Sequence, residues 1–147
     1  MKKILLAALV VLGAMVSVSH GKNTIDGSSQ DALKKSIDRI ADELERDHRK
    51  DFNEAVIVWY IKAIHSAAMD YKEDHGRPPE DEDLDDAAIF LIAAGYLDGM
   101  AEQEVIEEAH AIDEDELIQE LEDMGLSHPL DLRMDLGGLI RMFGFFF

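Results

Sequence analysis

The sequence predicts an all-α protein, a small bundle of four to five helices behind an N-terminal signal peptide. Three observations carry this. Apolar side chains recur every three to four residues from Leu33 to Met124, the spacing that lines one face of a helix. Breaks in that rhythm coincide with helix-ending chemistry: His75-Gly76 followed by Pro78-Pro79, then Asp98-Gly99, then Gly125. The one run that would suit a buried strand, Ala55–Ile61, sits inside a pattern far longer than a strand, with no turn residue bounding it.

The chain opens on Met1-Lys2-Lys3, then an apolar stretch from Ile4 to Val18 with small residues at Ser17, Ser19 and Gly21. A short basic segment, a hydrophobic stretch below the roughly 20 residues of a membrane span, and small residues at the cut make a secretory leader. Cleavage after Ser19 and cleavage after Gly21 satisfy the rule equally. The division expected is a signal peptide over 1–21, a helical domain over 22–125 and an apolar tail over 126–147. An exported protein, periplasmic or extracellular, follows. No Cys lies after the leader, so lipid attachment at a mature N-terminal Cys is ruled out.

The first helix is predicted from Ser28 or Ser29, either of which can accept a hydrogen bond from a first-turn N–H, with Asp31 set against the positive end of the dipole. Leu33, Ile37, Ile40, Ala41 and Leu44 form its apolar face, onto which Ile25 docks. The charged stretch Glu45–Asp51 is expected to separate it from a second, central helix carrying Phe52, Ala55, Val56, Trp59, Ala63, Ala67 and Tyr71. Glu73–Asp83 is the predicted loop, its acidic run Glu80–Asp83 marking the start of a third helix. Ala87–Leu97 is apolar throughout and is expected to be strongly buried. A fourth helix holds Val105, Ile106, Ala109 and Ile112 behind Ala101, a poor cap. Asp113-x-x-Glu116 offers a second cap ahead of Leu117, Ile118, Leu121 and Met124, so Glu102–Met124 reads as one bent helix or two. The expected core is Leu33, Ile37, Ile40, Leu44, Phe52, Val56, Trp59, Ile64, Ile89, Phe90, Ile92, Val105, Ile106 and Leu117. The tail ends Leu139-Ile140-Arg141-Met142-Phe143-Gly144-Phe145-Phe146-Phe147, an unusual finish for a soluble domain. Four accounts of it stand open: cover for the bundle, a surface for a partner, a membrane contact, or a shifted reading frame.

Composition narrows the chemistry. The 147 residues carry 32 acidic against 14 basic side chains, a net charge of −18 that becomes −20 once Lys2 and Lys3 leave with the leader. Such a chain repels phosphate backbones and anionic lipid surfaces, which excludes ordinary nucleic-acid binding. The absence of Cys excludes disulfides, thiolate nucleophiles and thiolate metal sites. There is no Gly-x-Ser-x-Gly elbow, no phosphate-cradling glycine loop and no His-Glu-x-x-His. EF-hand spacing fails from Asp81, where position twelve is Ile92, and from Asp113, where position five is Leu117. Two Glu-x-x-His pairs remain, Glu45/His48 and Glu107/His110. That spacing puts both side chains on one helical face, as in di-iron bundles, which also need an inward Glu from each of two further helices. The apolar stretches Val56–Ile64 and Ala87–Ala94 supply no such Glu. His65, nearer a helix centre, suits a core or boundary histidine.

Ile25-Asp26-Gly27-Ser28-Ser29-Gln30-Asp31-Ala32, Ser36 in the following helix, and Phe52-Asn53-Glu54-Ala55 resemble a family of small uncharacterised bacterial envelope proteins. Those are typically lipoproteins carrying a domain of unknown function. Leu97-Asp98-Gly99-Met100-Ala101-Glu102-Gln103-Glu104-Val105-Ile106 is similar to their later segment, in which a glycine precedes a helix. The likeness spans Ile25 to Ile112. This chain departs from it in lacking a lipidation Cys and in carrying Ala101 where a Ser or Thr cap is usual. The resemblance implies export and a helical fold, and brings no activity with it.

The function expected is that of an exported, noncatalytic helical protein acting by protein–protein contact in the cell envelope. It takes no cofactor, binds no nucleic acid and meets a membrane only through its tail. Its oligomeric state is open. The alternative is a metal-binding bundle using Glu45, His48, Glu107 and His110.

Overall fold

A computed structural model describes residues 23–126. The leader at 1–21 and the tail beyond Leu126 therefore lie outside the described residues. Five helices follow one another: α1 (Gln30–Glu43), α2 (Arg46–His75), α3 (Asp86–Leu97), α4 (Glu102–His110) and α5 (Glu114–Asp123). A 3₁₀ turn, Asp81–Asp83, sits between α2 and α3. The protein is all-α, as its apolar periodicity requires.

α2 is the axis. At 30 residues it is about 45 Å long, and α1, α3, α4 and α5 all pack against it. Phe52, Ala55, Val56, Trp59, Tyr60, Ile61, Ala63, Ile64 and Ala68 bury on several sides of it. That distribution explains why its sequence shows no single apolar stripe: a helix with neighbours all round needs apolar residues all round.

The charged stretch expected to separate the first two helices does not do so. α1 and α2 are parted at Leu44-Glu45, and Arg46–Asp51 form the exposed first turns of α2. Arg49 shows why this is favourable. Its Nε donates to the Ala41 carbonyl at 2.7 Å, and its Nη2 lies 3.4 Å from the Asp42 and Leu44 carbonyls. A guanidinium thus covers the orphan carbonyls at the C-terminus of α1, where the dipole also favours a cation.

The remaining boundaries follow local chemistry. Ser29, of the two candidate serines, caps α1 through Oγ, which accepts from the Ala32 N–H at 3.1 Å. Gly76 ends α2 in the left-handed conformation (φ 68°), donating to Lys72 O at 2.9 Å. The acidic run Glu80–Asp83 was expected to open α3. It forms the separate 3₁₀ turn, and Asp85 caps α3 by accepting from the Ala87 N–H at 3.1 Å. Glu102–Met124 is two helices, because Asp113 Oδ1 accepts from the Glu116 N–H at 3.1 Å and starts α5 afresh. Ala101 has no capping side chain, and the Glu104 carboxylate compensates by accepting the Ala101 N–H at 2.9 Å.

The core holds ten of the fourteen residues expected in it. Leu44, Ile92, Ile106 and Leu117 are only partly buried and pack against its edge. Ile25, Ile61, Leu97, Leu121 and Leu126 are buried in addition. Leu126, the first residue of the expected tail, folds back on α5 with its N–H on Leu121 O at 3.2 Å.

The segment before α1 is a strap. Ile25, fully buried, donates its N–H to Met100 O and accepts the Gly99 N–H, both at 2.8 Å. The Asp26 N–H reaches Ser36 Oγ at 2.9 Å, and the Gly27 N–H reaches Asp98 Oδ1 at 2.8 Å. Ser36 Oγ in turn donates to Leu33 O at 2.9 Å, so this buried hydroxyl is satisfied in both roles. The strap joins the N-terminus of the domain to the α3–α4 turn.

Candidate functional site

The strap accounts for the motif residues that stood out in the sequence. Ile25, Asp26, Gly27 and Ser36 are consumed in backbone pairing, and Ser29 is a helix cap. They hold the fold and leave no reactive group free.

The four Glu-x-x-His residues do not come together as a metal site. Glu45 stands at the exposed start of α2 and His48 one turn into it, whereas the inward side of α2 begins at Phe52. On α4 the buried residues are Val105 and Ala109, which leaves Glu107 and His110 on the solvent side. Among the described residues, no three His, Asp or Glu side chains are placed to share a metal ion. The spacing was right for a ligand pair, but the apolar residues around each pair turn it outward.

One groove carries mixed chemistry. It encloses about 460 Å³ between α2, the Tyr96 end of α3 and the α4–α5 turn, with Lys62, His65, Ser66, Met69, Ile112 and Leu117 among its walls. Lys62 Nζ lies 4.9 Å from the Trp59 ring centre and 5.0 Å from that of Tyr96, and these rings are 5.7 Å apart. The ammonium is thus held over two π faces. Trp59 is anchored from below by its indole N–H on Val105 O at 3.2 Å. Nε2 of His65 contacts Glu120 Oε2, fastening α5 to α2. Ser66 follows His65 directly, and adjacent helical positions do not face each other, so the two make no nucleophile–base pair. Asp113 at the rim is engaged as the cap of α5. Lys62, His65 and Asp113 of this groove are thus engaged in ring contact, pairing and capping.

A second polar cluster lies at the α2–α3 link. Arg77 pairs with Asp83 at 2.9 Å and donates to the Tyr71 hydroxyl at 2.6 Å, while Asp83 also accepts the Glu80 N–H at 2.9 Å. The Arg77 guanidinium, and then the Glu80 N–H, hold the Asp83 carboxyl well below the usual carboxylate range, at about 2. This is a closed structural network.

The outer face of α3 is different. The helix was expected to be strongly buried, yet only Ile89, Phe90, Ala93, Ala94 and Leu97 are. Ala87, Ala88, Leu91 and Gly95 face solvent, and Leu91 is 68% exposed. These four fall within one 100° arc of the helix, with the partly buried Ile92 at its edge. Sequence reasoning missed this face because a helix apolar on every side ordinarily lies within a core. What locates it is the placement of the neighbours: among the described residues α3 packs chiefly on α2 and α1, with the strap at its C-terminal end. No helix among the described residues is long and apolar enough to cross a membrane.

The architecture defines a small all-α protein built on one long helix, with a strap-fastened N-terminus and an apolar helix face that no other described residue covers. Residues 3–114 match the model of a family of unknown function (DUF6694), and the chain belongs to that family. The match takes in the strap, α1 to α4 and the 3₁₀ turn, and ends at the first residue of α5. No curated protein and no solved structure matches the chain.

Proposed function

We propose that this protein is exported and acts, without catalysis, by contact with another protein through the outer face of α3. The observation that carries this reading is a helix apolar on all sides of which the domain covers one side. A soluble chain leaves such a surface open where something else covers it. Of the groups that catalysis would use, His65 is paired with Glu120, Asp113 caps α5, and Arg77 is paired with Asp83. Export rests on the sequence pattern of Met1 to Gly21, a short basic start, an apolar stretch and small residues after it. The place of action proposed is the cell envelope or beyond.

The test is fractionation of the source cells combined with a photo-crosslinking side chain at position 91, with exposed Glu54 on α2 as the control position. The reading expects a shortened chain outside the cytoplasm and an adduct to another polypeptide from position 91 alone. Full-length chain retained in the cytoplasm would refute export. Equal adducts from both positions, or none from position 91, would refute the contact.

A further inference from the structure

We infer that the outer face of α3 receives a basic amphipathic helix of the partner protein; the inference rests on the contact reading above. Two observations fix the chemistry. First, charge in this chain is segregated. From Pro78 to Leu126 the sequence contains eighteen acidic residues and no Lys or Arg. The 3₁₀ turn, α3, α4 and α5 all fall in that stretch, so these elements bring only acidic side chains to the surroundings of α3; of the basic groups nearby, Arg77 is paired with Asp83 and Lys62 lies over the Trp59 and Tyr96 rings. Second, the apolar strip on α3 is bounded by acids at both ends. Glu82, Asp85 and Asp86 precede Ala87, and Asp98 follows Gly95.

The geometry suits a helix rather than a loop or a sheet edge. From Ala87 to Gly95 the strip runs about 12 Å, two turns of helix. Leu91 stands as a knob between Ala87 and Ala88 on one side and Gly95 on the other. A Cβ built on Gly95 would meet nothing within 4 Å, so the surface is open one turn beyond the knob. Small residues around one large one let a second helix approach at the short end of the usual 8–10 Å. Its own apolar ridge would lie along Leu91 and Gly95, with Lys or Arg on its flanks reaching the acids at each end.

The other occupants fit less well. A second copy docked on the same face would bring a second all-acidic half against the first, and like charges at close range are unfavourable. An anionic membrane surface is repelled by the same acidic side chains.

The experiment titrates a labelled synthetic helix of Leu and Lys, with Leu at i, i+3, i+4 and i+7, into the full chain and follows fluorescence anisotropy at low and high salt. Controls are a scrambled peptide of equal composition and a Leu/Glu peptide of equal pattern. The Leu/Lys helix is expected to bind at least about tenfold more tightly than its scramble, with affinity falling as salt rises. The Leu/Glu helix is expected not to bind. Leu91→Glu should weaken binding at least about tenfold without lowering the melting temperature, since Leu91 is solvent-exposed. Gly95→Glu, which sets a bulky charged side chain where the partner helix would approach, should do the same and serves where Leu91→Glu proves unstable. Equal binding of the scramble would mean charge alone acts and would overturn the inference, as would unchanged binding by both variants. Three further results would also overturn it by naming another occupant: a dimer that Leu91→Glu dissolves, flotation on zwitterionic vesicles that Leu91→Glu abolishes, or binding that emerges only when residues 127–147 are removed. A crosslinked partner lacking any basic amphipathic helix would sink this inference and leave the contact reading standing.

Discussion

Replacing Gly27 with Ala should be among the most damaging single-methyl changes available in this protein. Gly27 needs no unusual backbone angle; what it needs is closeness. A Cβ at that position would stand 2.5 Å from the Ala94 carbonyl oxygen, 2.9 Å from Asp98 Cβ and 3.1 Å from the Ala94 carbonyl carbon. Two of these atoms are backbone of a buried turn of α3, so the strap must give way. Overpacking of this kind costs about 1–3 kcal/mol. Moving the strap also stretches the Gly27 N–H bond to Asp98 Oδ1, a hydrogen bond to a charged acceptor, for which about 1 kcal/mol is reasonable at this exposed position. The sum is about 2–4 kcal/mol. In a domain of this size that corresponds to a fall in melting temperature of roughly 10–25 °C. Thermal unfolding followed by far-UV circular dichroism reads the total. Amide exchange at Ile25 and Gly99, whose N–H groups form the strap's own backbone bonds, reads its location. A Gly27→Ala variant that melts with the parent and protects those amides equally would refute the close-approach argument.

Gly95→Ala makes the opposite prediction from the same kind of measurement: with open space around its Cβ and a mid-helix position, it should raise stability by about 0.5–1 kcal/mol. Ser36→Ala removes the acceptor for the Asp26 N–H and should cost about 1–3 kcal/mol, again with faster exchange in the strap. Asp83→Asn tests the Arg77 network against pH. The folded carboxyl titrates lower, at about 2, than it does in the unfolded chain, so its stabilisation is present above the ordinary carboxylate range and is lost as pH falls through that range toward 2. Melting temperatures of the parent and Asp83→Asn should therefore differ at neutral pH and converge near the acid end. A gap that persists unchanged would show that charge on Asp83 is not what matters.

The fold was legible where one side chain decides one boundary. Ser29, Asp113, Gly76 and Gly125 end or begin helices by their own chemistry, and the apolar periodicity of α1 and α2 places Leu33, Ile37, Phe52 and Trp59 inside. What could not be read were features that depend on a partner far along the chain. Arg49 belongs to α2 because the end of α1 lies beside it. The docking of Ile25 was legible, but its backbone partner was not: Met100, seventy-five positions later, receives its N–H. The candidate site failed for a related reason. Glu-x-x-His spacing guarantees a shared face but not which way that face turns, and Val105 with Ala109 turns α4 so that His110 looks outward. Likewise an unbroken apolar stretch fixes α3 as a helix, whereas the number of neighbours that cover it is a property of the assembled domain.

Strap and open face are linked through α3, and the link bears on how contact would be regulated by the fold itself. The strap grips the C-terminal end of the helix: Gly27 lies against Ala94, its N–H holds Asp98, and Ile25 closes over the turn to Met100. At the other end Asp85 caps the helix and Arg77 braces the 3₁₀ turn beside it. α3 is thus fixed at both ends while its middle, Leu91, is presented to solvent. A rigid helix offers its apolar knob without the ordering cost that a mobile segment would meet on binding. Gly27→Ala should therefore weaken binding of the Leu/Lys helix even at temperatures where the domain remains folded, although Gly27 is not on that face. Gly27→Ala binding that helix as tightly as the parent, in a domain otherwise loosened at the strap, would show that the face does not depend on its two anchors.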